Sequence, residues 1–155
     1  MNDSKTVTST SFVHQLGRTL DEANRFLIDA LKKTGLSSLA PSHGDILQAL
    51  FKAERVTMQE LAQDINRDPS TVTALVKKLN TLGYTQTRKC PTDQRVTEVM
   101  LTKAGQGLKA EMDSISASLI ETQMRGLTEE EVSRVMVVLQ KMQDNFAQAN
   151  EDSRS

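Results

Sequence analysis

Apolar positions along most of the chain recur with a period near 3.6 residues. Phe12, Leu16, Leu20, Ala23, Leu27 and Leu31 follow three- and four-residue steps and predict a helix from about Ser11 with one apolar face. Gly35 behind it reads as a left-handed cap. Ser42, with Asp45 three residues on, reads as a capping box for a second helix that buries Ile46, Leu47, Leu50 and Phe51. Thr57 and Glu60 repeat the box for a third helix, with Leu61, Ala62 and Ile65 inward. Asn66-Arg67-Asp68 reads as a turn, and asparagine tolerates left-handed geometry there. Asp68 caps a fourth helix and Pro69 opens it. That helix turns Val72, Leu75, Val76 and Leu79 inward and stops at Gly83.

After Gly83 the period falls to about 2. Tyr84 to Arg88 and Thr97 to Leu101 predict two short strands, joined by the loop Cys90-Pro91-Thr92-Asp93-Gln94. The helical period then returns. Thr102 caps a fifth helix with Leu108, Met112, Ile115 and Leu119 on one side, and Gly126 ends it. Thr128 and Glu131 box a sixth helix, whose Val132, Val135, Leu139, Met142 and Phe146 make a heptad seam. From about Ala149 the residues read as a frayed polar tail. The expected fold is therefore mainly α: six helices and one small β-hairpin.

A chain of 155 residues suits one domain. Three long amphipathic helices exceed what a compact three-helix centre needs, so their seams ask for a second copy of the chain. No apolar stretch approaches the roughly 20 residues of a membrane span, and none resembles a signal peptide. A single cysteine, Cys90, allows no internal disulfide and fits a reducing compartment, so a cytoplasmic location is expected and no membrane partner. Aromatics make up only 3% of residues, too few for a base-stacking platform. Net charge is −1, but it is unevenly spread. Arg67 to Lys103 holds seven basic and three acidic residues, a local +4 that leaves −5 on the rest. A basic middle in an acidic frame points to a local anionic partner.

A short helix, a tight turn and a helix with polar outer residues make a helix-turn-helix pattern. Pro69, Ser70, Thr71, Thr73, Ala74, Lys77 and Lys78 lie on or beside the outer face of its second helix. The hydroxyls and ammonium groups are donors for phosphates and base edges, and Ala74 can meet a thymine methyl. The hairpin beyond reads as a wing, with Arg88, Lys89 and Arg95 around its loop. Asp93 precedes Arg95 by two residues, and a carboxylate there is expected to hold the guanidinium in one orientation. An arginine so held could enter a minor groove, where negative potential is deepest.

These segments resemble the multiple antibiotic resistance regulator (MarR) family of bacterial winged-helix repressors, from about Phe12 to Phe146. Asp93-Gln94-Arg95 followed by Val99-Met100-Leu101-Thr102-Lys103-Ala104-Gly105 is similar to the family's Asp-x-Arg wing and Leu-Thr-x-x-Gly helix start. Pro69-Ser70-Thr71-Val72-Thr73, with Leu79 and Gly83, is similar to its recognition helix. The resemblance implies one MarR-like domain over 1–155. Its winged helix-turn-helix spans about 36–101, its dimerisation helices 11–34 and 102–148, and its flexible ends 1–10 and 149–155. It further implies a homodimer on a pseudo-palindromic double-stranded DNA operator. A small-molecule inducer, aromatic or otherwise, is implied as partner, with Arg95 reading the minor groove and Asp93 orienting it. Many relatives carry arginine where this chain has Ala74, and a basic residue where it has Gln94, which bears on which bases are read.

Other signals carry less. Gly105-Gln106-Gly107 imitates a shortened dinucleotide fingerprint, but no second parallel strand or acidic partner accompanies it. His14 and His43 are the only histidines and read as ordinary polar positions, so no metal is expected. Cys90 beside Arg88 and Lys89 has surroundings that favour thiolate, yet an inert surface thiol is the expectation. The methionines read as core filling. No nucleophile–base pair or cofactor loop appears, so neither an enzyme nor a cofactor is expected. A winged helix used only for protein contacts would carry an apolar outer face, against which Thr73, Lys77 and Lys78 argue.

Overall fold

The computed structural model describes residues 9–153. Among them the chain forms seven helices: α1 (Ser9–Lys33), α2 (Pro41–Phe51), α3 (Met58–Asp64), α4 (Pro69–Thr81), α5 (Lys103–Gln106), α6 (Lys109–Met124) and α7 (Glu129–Asp152). Three short strands accompany them, β1 (Val56–Thr57), β2 (Thr85–Lys89) and β3 (Thr97–Leu101). The expected flexible ends lie outside the described residues at 1–8 and 154–155. Elsewhere that expectation is corrected: residues 9 and 10 are helical, and α7 runs past Ala149 to Asp152. No residue from Ala149 to Asp152 is a strong helix breaker. The helix closes where Ser153 donates its amide and its hydroxyl to the Ala149 carbonyl.

Three further departures from the sequence reading have local causes. The second helix begins one residue early. Pro41 occupies its first turn and Ala40 its cap, so the Ser42–Asp45 box does not form. His43 Nδ1 instead accepts the Ala40 amide at 2.9 Å. The hairpin is the larger part of a three-stranded antiparallel sheet, ordered β1-β3-β2. β1 pairs Val56 with Val99 and Thr57 with Glu98. The fifth helix breaks at Gly107 and Leu108 into α5 and α6. There Thr102 Oγ1 donates to the Gly83 carbonyl, and the Thr102 amide donates to that of Tyr84. That seats α5 so tightly on the start of β2 that a Cβ on Gly105 would stand 2.0 Å from the Tyr84 oxygen.

The caps at Thr57, Asp68, Thr102 and Thr128 form as read. Asn66 turns through φ 50° and Gly83 through φ 77°, a region that costs glycine little and asparagine less than most residues. Ile46 and Leu47 on α2, Leu61 on α3, Val72 and Leu79 on α4 and Val99 on β3 lose all exposure. Each such burial stabilises by about 1.5–3 kcal/mol. Leu31 at the end of α1, and Leu108, Met112 and Ile115 further on, close the same core.

The molecule divides into two compact units after Leu119. In the first unit, α1 is covered only near its C-terminal end. Leu31 is buried and Leu27 partly so, while Leu20 is 60% exposed and Phe12 38%. In the second unit, α7 buries none of its residues, and Val135, Met136, Val137, Val138 and Phe146 are all exposed.

Candidate nucleic-acid interface

α3 and α4 meet across a turn that closes on itself. Arg67 donates its amide to the Ala62 carbonyl at 3.0 Å, and Asn66 takes the left-handed step. Asp68 then caps α4 with its whole carboxylate. Oδ1 accepts the Thr71 amide at 3.0 Å and the Ser70 hydroxyl, and Oδ2 accepts the Thr71 hydroxyl at 2.6 Å. The Ser70 and Thr71 hydroxyls, then the Thr71 amide, hold Asp68 well below the ordinary carboxylate range.

This corrects the donor role expected of the hydroxyls. Ser70 and Thr71 direct their hydrogens at Asp68, and Thr73 donates its own to the Pro69 carbonyl at 2.8 Å. What these side chains offer outward is lone pairs, which suit an amino group on a base edge and not a phosphate. The cations differ. Lys77 and Lys78 are exposed and enter no ion pair among the described residues. Ala74 is exposed between Thr73 and Lys77.

A shallow groove runs along this face between α3 and α4. Gln59, Gln63, Asn66 and Arg67 border it together with Pro69 and Thr73. The sequence reading left out the α3 side of that groove. The available signal was the spacing of Gln59 and Gln63, four residues apart and opposite the inward Leu61.

The wing's basic residues are largely engaged. Arg88 stands opposite Glu98 in the β2–β3 register and donates Nε to Glu98 Oε2 at 2.9 Å. Lys89 donates Nζ to the Thr97 hydroxyl at 3.1 Å. At the tip, Asp93 Oδ1 accepts the backbone amide of Arg95 at 2.9 Å, and the Asp93 carbonyl accepts the Val96 amide at 3.0 Å. Cys90 closes the loop by donating its amide to the Val96 carbonyl at 2.9 Å. The expected contact of Asp93 with the guanidinium is therefore corrected: Asp93 shapes the loop, and the Arg95 guanidinium is exposed and in no ion pair among the described residues. The Cys90 thiol is pushed down by the Thr92 hydroxyl and then by the Thr92 and Asp93 amides, not by the flanking cations.

His43 is not the ordinary polar position that the sequence suggested. It is buried as the reciprocal cap of α2. Burial and then the charge of Lys78 push its pKa below the usual histidine value. Among the described residues, no group of three or more His, Cys, Asp or Glu could hold a metal ion, and no helix is long and apolar enough to cross a membrane.

The MarR family model matches residues 39–97. An uncharacterised helix-turn-helix transcriptional regulator of Bacillus subtilis, YdgJ, is 24% identical over 75% of this chain and 71% of its own length. The transcriptional regulator TtmR of Methylorubrum extorquens is 28% identical over 65% of this chain, a match that spans only 51% of TtmR. Both relatives are named as helix-turn-helix transcriptional regulators. Among solved structures, BpsR of Bordetella bronchiseptica superposes with a TM-score of 0.76 at 22% identity, covering 93% of this chain and 97% of BpsR. BpsR is described as regulated in its DNA binding by 6-hydroxynicotinic acid. The architecture is thus that of the winged-helix structures it superposes on, and the match to the MarR family model lies on the two-helix unit and most of the wing.

Proposed function

We propose that this protein is a sequence-specific regulator of transcription that binds double-stranded DNA as a homodimer. α4 enters the major groove and the wing tip reaches the adjacent minor groove. The observation that carries this reading is the free cations of one face. Lys77 and Lys78 on α4 and Arg95 on the wing are exposed and enter no ion pair among the described residues, in the segment with local charge +4. Ser70, Thr71, Thr73 and Ala74 supply the base-facing surface, and Pro69 sets the helix start. Arg88 and Lys89 flank the wing. Asp93 sets the path of the Arg95 backbone.

The exposed apolar residues of α1 and α7 support a second copy of the chain as partner, since single unpartnered helices with such faces gain by covering them. The protein works in the cytoplasm as a repressor and catalyses no reaction. Its inducer is a small aromatic acid or a similar small molecule, as the ligand of BpsR suggests.

Selection of bound duplexes from a random-sequence pool by the purified protein tests the proposal. The expected product is a dyad-symmetric site with half-sites roughly 10 base pairs apart. Recovery of no preferred sequence, or of one without symmetry, overturns it.

A further inference from the structure

From the contacts of Asn80, we infer that this residue is a positioning residue for DNA binding, fixing the wing at a set distance from the recognition helix. Asn80 lies in the last turn of α4, and β2 starts five residues later, beyond the Gly83 turn. Its side-chain amide spans the gap with both of its ends. Oδ1 accepts the Thr85 hydroxyl at 2.6 Å, and Nδ2 donates to the Thr87 hydroxyl at 3.4 Å. Thr85 and Thr87 are two apart and so share one face of β2.

The two bonds have different justifications. Thr85 is 3% exposed, and a buried hydroxyl needs a partner whatever the protein does. Thr87 is exposed, and water would satisfy it equally well. A second bond to an exposed threonine adds nothing to burial. What it adds is a second point of attachment, and two points on one strand fix its direction where one leaves a pivot. Few side chains can do this. Leucine would orphan the Thr85 hydroxyl, and aspartate would put a negative charge on a face meant for phosphates.

This role rests on the proposed DNA-binding reading. A protein that reads two grooves at once needs its two arms spaced before binding, because ordering a loose arm on the duplex costs affinity. The connection from α4 to the wing is short, and its backbone bonds, such as the Tyr84 amide to the Leu79 carbonyl at 3.0 Å, hold only its start. Asn80 carries the attachment three residues further, to Thr87 on the strand that leads to Arg95.

The test is a double-mutant cycle. Asn80→Ala, Arg95→Ala and the double variant are titrated, at one salt concentration, with the tightest duplex the wild-type protein recovers from a random pool. Asn80→Ala is expected to weaken binding about two- to tenfold. The double variant should bind within about twofold of Arg95→Ala alone, since a wing that no longer touches DNA gains nothing from being positioned. Losses that multiply overturn the inference, because Asn80 then acts elsewhere. Wild-type affinity for Asn80→Ala, with Arg95→Ala weakened, overturns the role of Asn80 and spares the DNA-binding reading. Wild-type affinity for Arg95→Ala overturns the wing contact and this role with it. If Asn80→Ala does not fold, Thr85→Val and Thr87→Val remove the hydroxyls singly and enter the same cycle. Thr85→Ser keeps the hydroxyl and should restore wild-type binding; a loss equal to that of Thr85→Val overturns the inference.

Discussion

Lys77 and Lys78 on α4 and Arg88 and Lys89 on β2 are two adjacent cation pairs of equal formal charge, and the fold employs them differently. The helix pair is exposed and has no ion-pair partner among the described residues. The strand pair is tied down, Arg88 to Glu98 and Lys89 to Thr97. The contrast follows from secondary structure. On the outer face of a helix, neighbours three and four residues away are chosen by sequence alone, and around Lys77 and Lys78 none is acidic. In an antiparallel ladder each residue faces a cross-strand partner whether or not function wants one. The recognition helix thus keeps its charge for a ligand, while the wing commits most of its charge to its own shape and keeps Arg95 free.

The largest expected effect tests whether the wing is a seated arm. Gly105→Ala places a Cβ at 2.0 Å from the Tyr84 oxygen, a backbone atom that cannot step aside without moving β2. It should cost about 3 kcal/mol in denaturant unfolding. Gly17→Ala is the control. It has nothing within 4 Å, lies inside α1 and should stabilise by about 0.5–1 kcal/mol. Equal effects at the two sites would show that the seat is loose.

Next comes the salt dependence of DNA binding. Lys77→Ala should flatten the slope by about two units per dimer, one for each phosphate that is no longer neutralised. Arg88→Gln should leave the slope nearly unchanged and lower stability by about 1 kcal/mol, because it strands a buried Glu98. Slopes that fall equally in both variants would erase the distinction between helix and strand.

Much of this arrangement was legible in the sequence, and what was not has physical reasons. The caps at Thr57, Asp68 and Thr128 are local, made within three residues, and periodicity exposes them directly. β1 is two residues long and exists only because Val99 lies opposite Val56, a pairing with no local trace. The break between α5 and α6 has the same character, since Gly105 is needed by a carbonyl 21 positions earlier in the chain. At the interface, residue types were readable and their hydrogen-bond directions were not. Ser70 and Thr71 look like donors to DNA until Asp68 is seen to take both hydrogens.

A smaller effect concerns pH and the helix that supports α4. His43 is held neutral by burial and by Lys78, so its folded pKa lies below its unfolded value of about 6.5. The unfolded chain takes up the proton first, so this contribution is complete above about pH 6.5 and fades as pH falls towards the folded pKa. Asp68, Glu60 and Glu131 are held below the carboxylate range by the hydrogen bonds of their caps, and their contributions fade only below about pH 4. Wild-type stability should therefore fall in two steps on acidification. His43→Gln keeps an acceptor for the Ala40 amide and has nothing to titrate, so the upper step should vanish while His43→Ala loses about 1 kcal/mol at neutral pH. An upper step unchanged in His43→Gln would assign it to another group.

The smallest expected effect decides how the wing tip works. Asp93 meets the Arg95 backbone amide and not its guanidinium. If that bond is what matters, an uncharged acceptor of the same shape suffices. Asp93→Asn should then bind the selected duplex within a few tenths of a kcal/mol of wild type, or slightly tighter, because a negative charge near phosphates is gone. Asp93→Ala has no acceptor, so the loop loses its brace and binding should weaken by about 1 kcal/mol. A charge pair that steers the guanidinium predicts otherwise: Asn and Ala would both lose it, and both would approach Arg95→Ala. Affinities of the three variants at one salt concentration separate the readings. If Asp93→Asn is as weak as Asp93→Ala, the carboxylate charge is required, and the wing would then hold even its last free cation by an ion pair when DNA is bound.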